Sequence, residues 1–182
     1  MNASKTIGIV GCGTMGTGIA IVAARAGFKT RIYDLKPEPL ENARKQAAAF
    51  LKKSVERGKL AAGEDAQIMA QFLTTTDAKE FADCDLVIEA VFEDLKVKHS
   101  IFKQLNDICP AHTIFASNTS TISITEIAGG SGRADRFVGM HFCLPAQLMK
   151  LVEMSPGMNT SEATFEAAWK LCEALGQKPV RT

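Results

Sequence analysis

The chain carries almost no net charge, no long apolar run and no paired cysteines, and each lack removes a class of function. Twenty-one Lys and Arg oppose twenty Asp and Glu over 182 residues, so no global field draws the protein to nucleic acid or anionic lipid. No apolar stretch approaches the ~20 residues that span a bilayer. The opening Met1-Asn2-Ala3-Ser4-Lys5 lacks the charged-then-hydrophobic layout of a secretory signal. The five cysteines (Cys12, Cys84, Cys109, Cys143, Cys172) form no C-x-x-C pair and no metal-ligand rhythm. That odd, scattered set favours reduced thiols and gives no metal site. These absences point to a cytoplasmic protein. With 46% hydrophobic and 23% charged residues, one soluble domain with an ample core is the expectation.

What is present is an alternation of strands and helices. Thr6–Val10 is short, β-branched and bounded by glycine, as a buried strand should be. Gly11-Cys12-Gly13-Thr14-Met15-Gly16 follows at once, then a helix with Ile19, Val22, Ala23 and Ala26 on one face and Gly27 as its stop. Lys29–Tyr33 reads as a second strand ending at Asp34. Pro37 to about Arg57 predicts a long helix carrying Leu40, Ala43, Ala47, Phe50, Leu51 and Val55 on one face. A second helix through Ile68, Met69 and Phe72 returns, so residues 36–72 form an inserted helical pair. Strands are predicted at 74–76, 85–91 and 113–117, with a helix from Asp94 to Ile108 between the last two. Beyond Ser117 come a short helix near Ile124, strands at 136–142 and 151–154, and a helix capped by Thr160 or Ser161 and closed by Gly176. The fold class is α/β: a Rossmann-type, doubly wound, mostly parallel sheet with helices on both faces.

G-x-G-x-x-G alone is weak, but here a buried strand precedes it, a helix follows, and an acid ends the next strand. Gly11 permits the tight turn, Gly13 lets a pyrophosphate approach the backbone, and Gly16 lets helix and strand pack. Orphan amides at the helix start then favour a diphosphate. Asp34 lies where a carboxylate can accept the adenosine-ribose hydroxyls and repel a 2′-phosphate, so NAD is expected over NADP. FAD uses the same fingerprint.

Three histidines are present. His99 lies among Lys96, Lys98 and Ser100, on what reads as a solvated helix face, and His112 lies in a loop beside Pro110. His141 ends an apolar strand, where open α/β sheets place their ligands. Glu153 interrupts another apolar strand, and a carboxylate in such surroundings needs a partner. An imidazole would supply one and form a dyad able to take a hydroxyl proton near neutral pH. Glu89 and Glu93 interrupt a strand in the same way and compete for that role. Ser117-Asn118-Thr119-Ser120 follows the fifth strand, as a polar turn capping the next helix or as holders of a ribose or substrate oxygen.

Taken together, these blocks resemble the L-3-hydroxyacyl-CoA dehydrogenase family, specifically its N-terminal NAD-binding domain. The resemblance rests on Gly11 through Ala20, on DLVIEAVFED at 85–94, on FASNTS at 115–120, and on His141 through Glu153. It implies that His141 is the general base, Glu153 its orienting carboxylate and Ser120 a contact of the substrate's 3-oxygen. It implies that Asn118 lies near nicotinamide and substrate, and that Glu93 and Lys98 touch the nicotinamide half of NAD. Thr14, Met15 and Ala90 join the cofactor set by the same correspondence. In that family the inserted helical pair supports coenzyme A. Residues 36–59 hold seven Lys or Arg against three Glu, and Lys52, Lys53, Arg57 and Lys59 would then meet CoA phosphates, unless they are simply a solvated face.

Two departures from the family pattern stand out. His-Phe-Phe-Asn-Pro becomes His141-Phe142-Cys143-Leu144-Pro145, which removes an amide beside the candidate base and, if that amide is buried, a polar partner. A divergent substrate follows as an alternative: a free hydroxyacid or sugar acid, in the manner of gulonate or carnitine dehydrogenases. The chain also stops at Thr182, where the family continues into a helical C-terminal domain. The resemblance therefore implies a truncated chain, an acyl-CoA substrate, a homodimer for the intact enzyme, and a fragment of little activity by itself. A nucleotide-binding module with no chemistry is the remaining alternative.

Overall fold

The computed structural model describes residues 5–182. Eight strands form one sheet in the order β3-β2-β1-β4-β5-β6-β7-β8. They are β1 (Thr6–Val10), β2 (Lys29–Tyr33), β3 (Phe72–Thr75), β4 (Leu86–Glu89), β5 (Ile114–Ser117), β6 (Phe137–Phe142), β7 (Leu151–Pro156) and β8 (Lys178–Arg181). The first six are parallel. β7 runs against β6, and β8 runs with β7.

Helices cover both faces, because each strand sends alternate side chains to opposite sides. On one face Ile7, Ile9, Ile88, Val138 and Met140 pack against α1 (Thr14–Arg25), α2 (Pro37–Glu56) and α6 (Glu162–Ala174). On the other, Val87, Phe115 and Phe137 pack against α4 (Leu95–Ile108) and α5 (Ile124–Gly129). Phe102 of α4 anchors that second layer, edge-on to Phe137 with ring centroids 4.7 Å apart. The strand order reverses between β1 and β4, so their carboxyl ends open a crevice at which such sheets bind ligands.

The element order agrees with the sequence pattern, and the differences have physical causes. Phe72 is not in the returning helix: α3 spans Glu64–Ala70, and Phe72 opens β3 as a buried core residue. A helical spacing that continues into a strand's first apolar residue hides the boundary. β3 therefore begins earlier than residue 74. β4 is also shorter than the apolar run predicts, because Val91 N–H turns back to the Glu89 side chain at 2.8 Å. β8 was not anticipated. Its four residues, Lys178-Pro179-Val180-Arg181, are mostly exposed, and a proline is tolerated there because the strand lies at the sheet edge. Ser161, rather than Thr160, caps α6 by accepting from Thr164 N–H.

Candidate active site

The glycine turn has the geometry of a phosphate-facing helix start. Gly11 has φ +93°, and a Cβ on Gly16 would lie 1.8 Å from the Gly11 carbonyl oxygen, so neither position accepts a side chain. A Cβ on Gly13 would meet nothing within 4 Å. Gly13 is also the N-cap of α1 and offers no side-chain acceptor, so the first amides of that helix stay available to an anion. Asp34, just past β2, is half-buried beside the glycine turn. Its Oδ2 accepts from Cys12 N–H at 3.2 Å and from the Cys12 thiol at 3.1 Å. Burial foremost, and then this carboxylate, push the Cys12 thiol up to about 12. The thiol contact is a feature that the sequence pattern did not indicate.

A cavity of about 510 Å³ opens at the carboxyl ends of the parallel strands. Of the sequence-predicted residues, Met15, Ala90, Glu93, Asn118, Ser120 and His141 line it together. Glu153 is outside the lining but pairs with His141. Register does this: His141 and Glu153 are direct partners in the antiparallel pairing of β6 with β7, so both side chains leave the same face. His141 Nδ1 lies 2.7 Å from Glu153 Oε2. Facing an ionised carboxylate, which can only accept, Nδ1 is the donor, and a neutral ring then keeps its lone pair on Nε2. Asn118 is held as well, its Oδ1 accepting from Phe142 N–H at 2.8 Å, which leaves the amide NH₂ for a ligand.

The competing carboxylates resolve differently. Glu89 is fully buried, and its partner is Lys98 Nζ at 2.6 Å, not a histidine. Glu93 accepts from Thr119 Oγ1 at 2.8 Å and from Ser120 N–H at 3.1 Å. Burial raises the pKa of Glu93, but these hydrogen bonds and the Lys98 charge outweigh it, and the net shift is downward. Lys98 corrects the sequence-based expectation: it is 1% exposed and does not sit on a solvated face. The (CH₂)₄ stem makes a lysine plausible as surface in any helical pattern, and only its buried carboxylate partner explains its position. His99 stays partly exposed and reaches across to α5, its Nε2 2.8 Å from the Glu126 carbonyl oxygen.

Other expectations fall elsewhere. Thr14 is exposed at the helix start. Lys52, Lys53, Arg57 and Lys59 are exposed at and just beyond the end of α2, away from the cavity lining. Leu144 lines the cavity but is 61% exposed, so no buried polar partner is lost at that position in this chain. Cys143 beside it also faces the cavity, a lining residue that spacing alone could not identify.

The sequence matches a known family over almost the whole chain: residues 6–182 fit the family described as "3-hydroxyacyl-CoA dehydrogenase, NAD binding domain". The chain belongs to that family. It is 43% identical over 173 residues to a probable 3-hydroxybutyryl-CoA dehydrogenase of Deinococcus radiodurans, covering 95% of this chain and 62% of that protein. A probable 3-hydroxybutyryl-CoA dehydrogenase of Bacillus subtilis is 42% identical over 176 residues, with 97% of this chain and 61% of that protein covered. The crystal structure of 3-hydroxybutyryl-CoA dehydrogenase from Escherichia coli K12 superposes with a TM-score of 0.95 at 41% identity, over 98% of this chain and 38% of that one. This 3-hydroxyacyl-CoA dehydrogenase family domain is thus an NAD-binding domain, and it spans about three fifths of the length of the Deinococcus and Bacillus relatives. Among the described residues no helix is long and apolar enough to cross a membrane.

Proposed function

We propose that the protein carrying this domain interconverts L-3-hydroxyacyl-CoA and 3-oxoacyl-CoA, with NAD as its redox partner and His141 as general base. The observation that carries the proposal is the 2.7 Å contact between His141 Nδ1 and Glu153 Oε2 at the wall of the cavity. Glu153 fixes the tautomer and supports positive charge on the ring, so Nε2 takes the proton of the 3-hydroxyl group. NAD supplies the acceptor for the hydride that leaves the same carbon. The uncapped start of α1 would hold the pyrophosphate, Asp34 the adenosine ribose, and Met15, Ala90 and Asn118 the nicotinamide end. Ser120 would donate to the substrate's 3-oxygen. The exposed bases Lys52, Lys53, Arg57 and Lys59 would meet the CoA phosphates as an electrostatic surface. The working enzyme is a homodimer in this proposal, and the 182-residue domain by itself binds NAD but turns over acyl-CoA poorly.

The test is acetoacetyl-CoA reduction by the natural protein and its His141→Gln variant. Loss of about 10²- to 10⁴-fold in rate, with NADH affinity retained, supports the base assignment. A variant as active as its parent removes it. Silence toward every CoA ester, with turnover of a free hydroxyacid, would replace the substrate and keep the dyad.

A further inference from the structure

Gly18 stands inside α1, where glycine is a weaker helix former than alanine. Its φ is not positive, so backbone conformation does not require it. The space beside it does. A Cβ on Gly18 would lie 2.6 Å from Gln147 Oε1, 3.1 Å from the Ala146 Cβ and 3.6 Å from the Ala146 amide nitrogen. The segment that follows β6 therefore rests directly on the helix backbone. Ala146 is 1% exposed there and shares an apolar core with Ile19 and Ala20. Its turn closes on itself, Leu148 N–H and Met149 N–H both donating to the Pro145 carbonyl at 2.9 Å. Met15 lies three residues before Gly18, on the same side of α1, and lines the cavity with Cys143 and Leu144. One side of α1 thus runs along residues 143–147, with the cavity at Met15 and the turn at Gly18.

We infer that Gly18 is a positioning residue: its missing side chain seats the 145–149 turn and so sets the gap between Met15 and the Cys143–Leu144 wall. The segment is held at its start by Asn118 Oδ1, which accepts from Phe142 N–H at 2.8 Å. At its far end the Lys150 carbonyl accepts from Lys178 N–H at 2.6 Å. Between these anchors, Ala146 against Gly18 is a buried contact that fixes the height of the turn over α1. The His141–Glu153 dyad does not depend on this seat, because strand register sets that pair. What depends on it is how closely the two walls hold the reacting groups. Misplacement by about 1 Å is enough to cost roughly a hundredfold in rate. The kinetic part of this inference rests on the proposed function; the structural part does not.

The test compares the natural protein with Gly18→Ala, Gly18→Val and Gly18→Ala/Ala146→Gly. Where a helical glycine has free space beside it, alanine raises stability and leaves activity alone. Here the added carbon must lift Ala146. Amide exchange at Leu148 and Met149 should therefore rise in both single variants, by at least about tenfold in Gly18→Val, while β1 keeps its protection. For acetoacetyl-CoA reduction, kcat should fall about five- to tenfold in Gly18→Ala and up to about a hundredfold in Gly18→Val, with KM for NADH within about threefold of the parent. The pH dependence of kcat should not move, because the dyad is intact. Ala146→Gly removes the 3.1 Å neighbour and should recover most of the loss in Gly18→Ala. Single variants with parental exchange and kcat, equal acceleration across β1 in both, or a loss that Ala146→Gly fails to recover would each overturn the inference. A parent protein inactive toward every CoA ester would instead sink the proposed function, and exchange at Leu148 and Met149 would still decide the role of Gly18.

Discussion

Cys12 and Asp34 are joined by two hydrogen bonds to one carboxylate oxygen, from the amide at 3.2 Å and from the thiol at 3.1 Å. Asp34 is thereby aimed before any ribose arrives. In the proposed reading, replacing it by Asn removes the charge that would accept two ribose hydroxyls and repel a 2′-phosphate. Asp34→Asn should weaken NAD about ten- to a hundredfold in calorimetry, in line with loss of charge-assisted hydrogen bonds, and should narrow the preference over NADP. Undiminished NAD affinity would place the ribose elsewhere.

Thiol chemistry should single out one cysteine of the five. Burial pushes Cys12 and Cys172 up to about 12 and Cys109 up to about 11, and drives Cys84 upward as well. Cys143 is half-exposed at the cavity wall. Iodoacetamide near neutral pH should label Cys143 alone in the folded protein, and NADH with acetoacetyl-CoA should slow the labelling. Peptide mass mapping that finds another cysteine modified first would contradict the packing described.

The acid limit of the Ser120 loop follows from Glu93. Its carboxyl lies below the ordinary 4.5, so the folded chain binds that proton less readily than the unfolded one. The tether is complete above pH 4.5 and is lost as pH falls through the lower, folded value. Amide exchange at Ser120, corrected for intrinsic rates, should stay protected above pH 4.5 and rise as the pH is taken below it. Loss of protection on the alkaline side would reverse the assigned sign.

Arg133 secures the end of α4. Its Nε donates to Asn106 Oδ1 at 2.8 Å, and its terminal nitrogens donate to the Pro110 and Asn106 carbonyls at 2.7 and 3.0 Å. The guanidinium also lies 4.5 Å from the Phe115 ring centre. Arg133→Met leaves helix-end carbonyls without donors and should cost about 2–4 kcal/mol in urea unfolding. A loss near zero would show that water replaces the guanidinium freely.

Much of this molecule was legible before its coordinates. The strand–glycine turn–helix unit could be read because the constraints are local: Gly11 and Gly16 are required by backbone geometry within six residues of each other. The His141–Glu153 pair was suggested by the cost of an apolar strand carrying a carboxylate, but its partner was not fixed, since Glu89 met the same criterion. Choosing between them needs strand register, which is set by pairing between distant segments. Lys98 was misread for a related reason. Helical spacing states which face a residue shares, and a lysine facing inward is legible only once the carboxylate beneath it is known. Leu144 and Cys143 could be placed near His141 by sequence, while their exposure depended on how the 143–150 segment turns.

The reversal of β7 sets a rule for what may change around the dyad. Because side chains along a strand alternate with a period of two, parity and not distance decides whether the acid at 153 meets the imidazole. The connection from 143 to 150 can be rebuilt at a different size if the ladder of β7 on β6 keeps its phase. A slip of one residue, with every atom of the connection left in place, would turn the carboxylate to the opposite side of the sheet and leave the histidine without its partner.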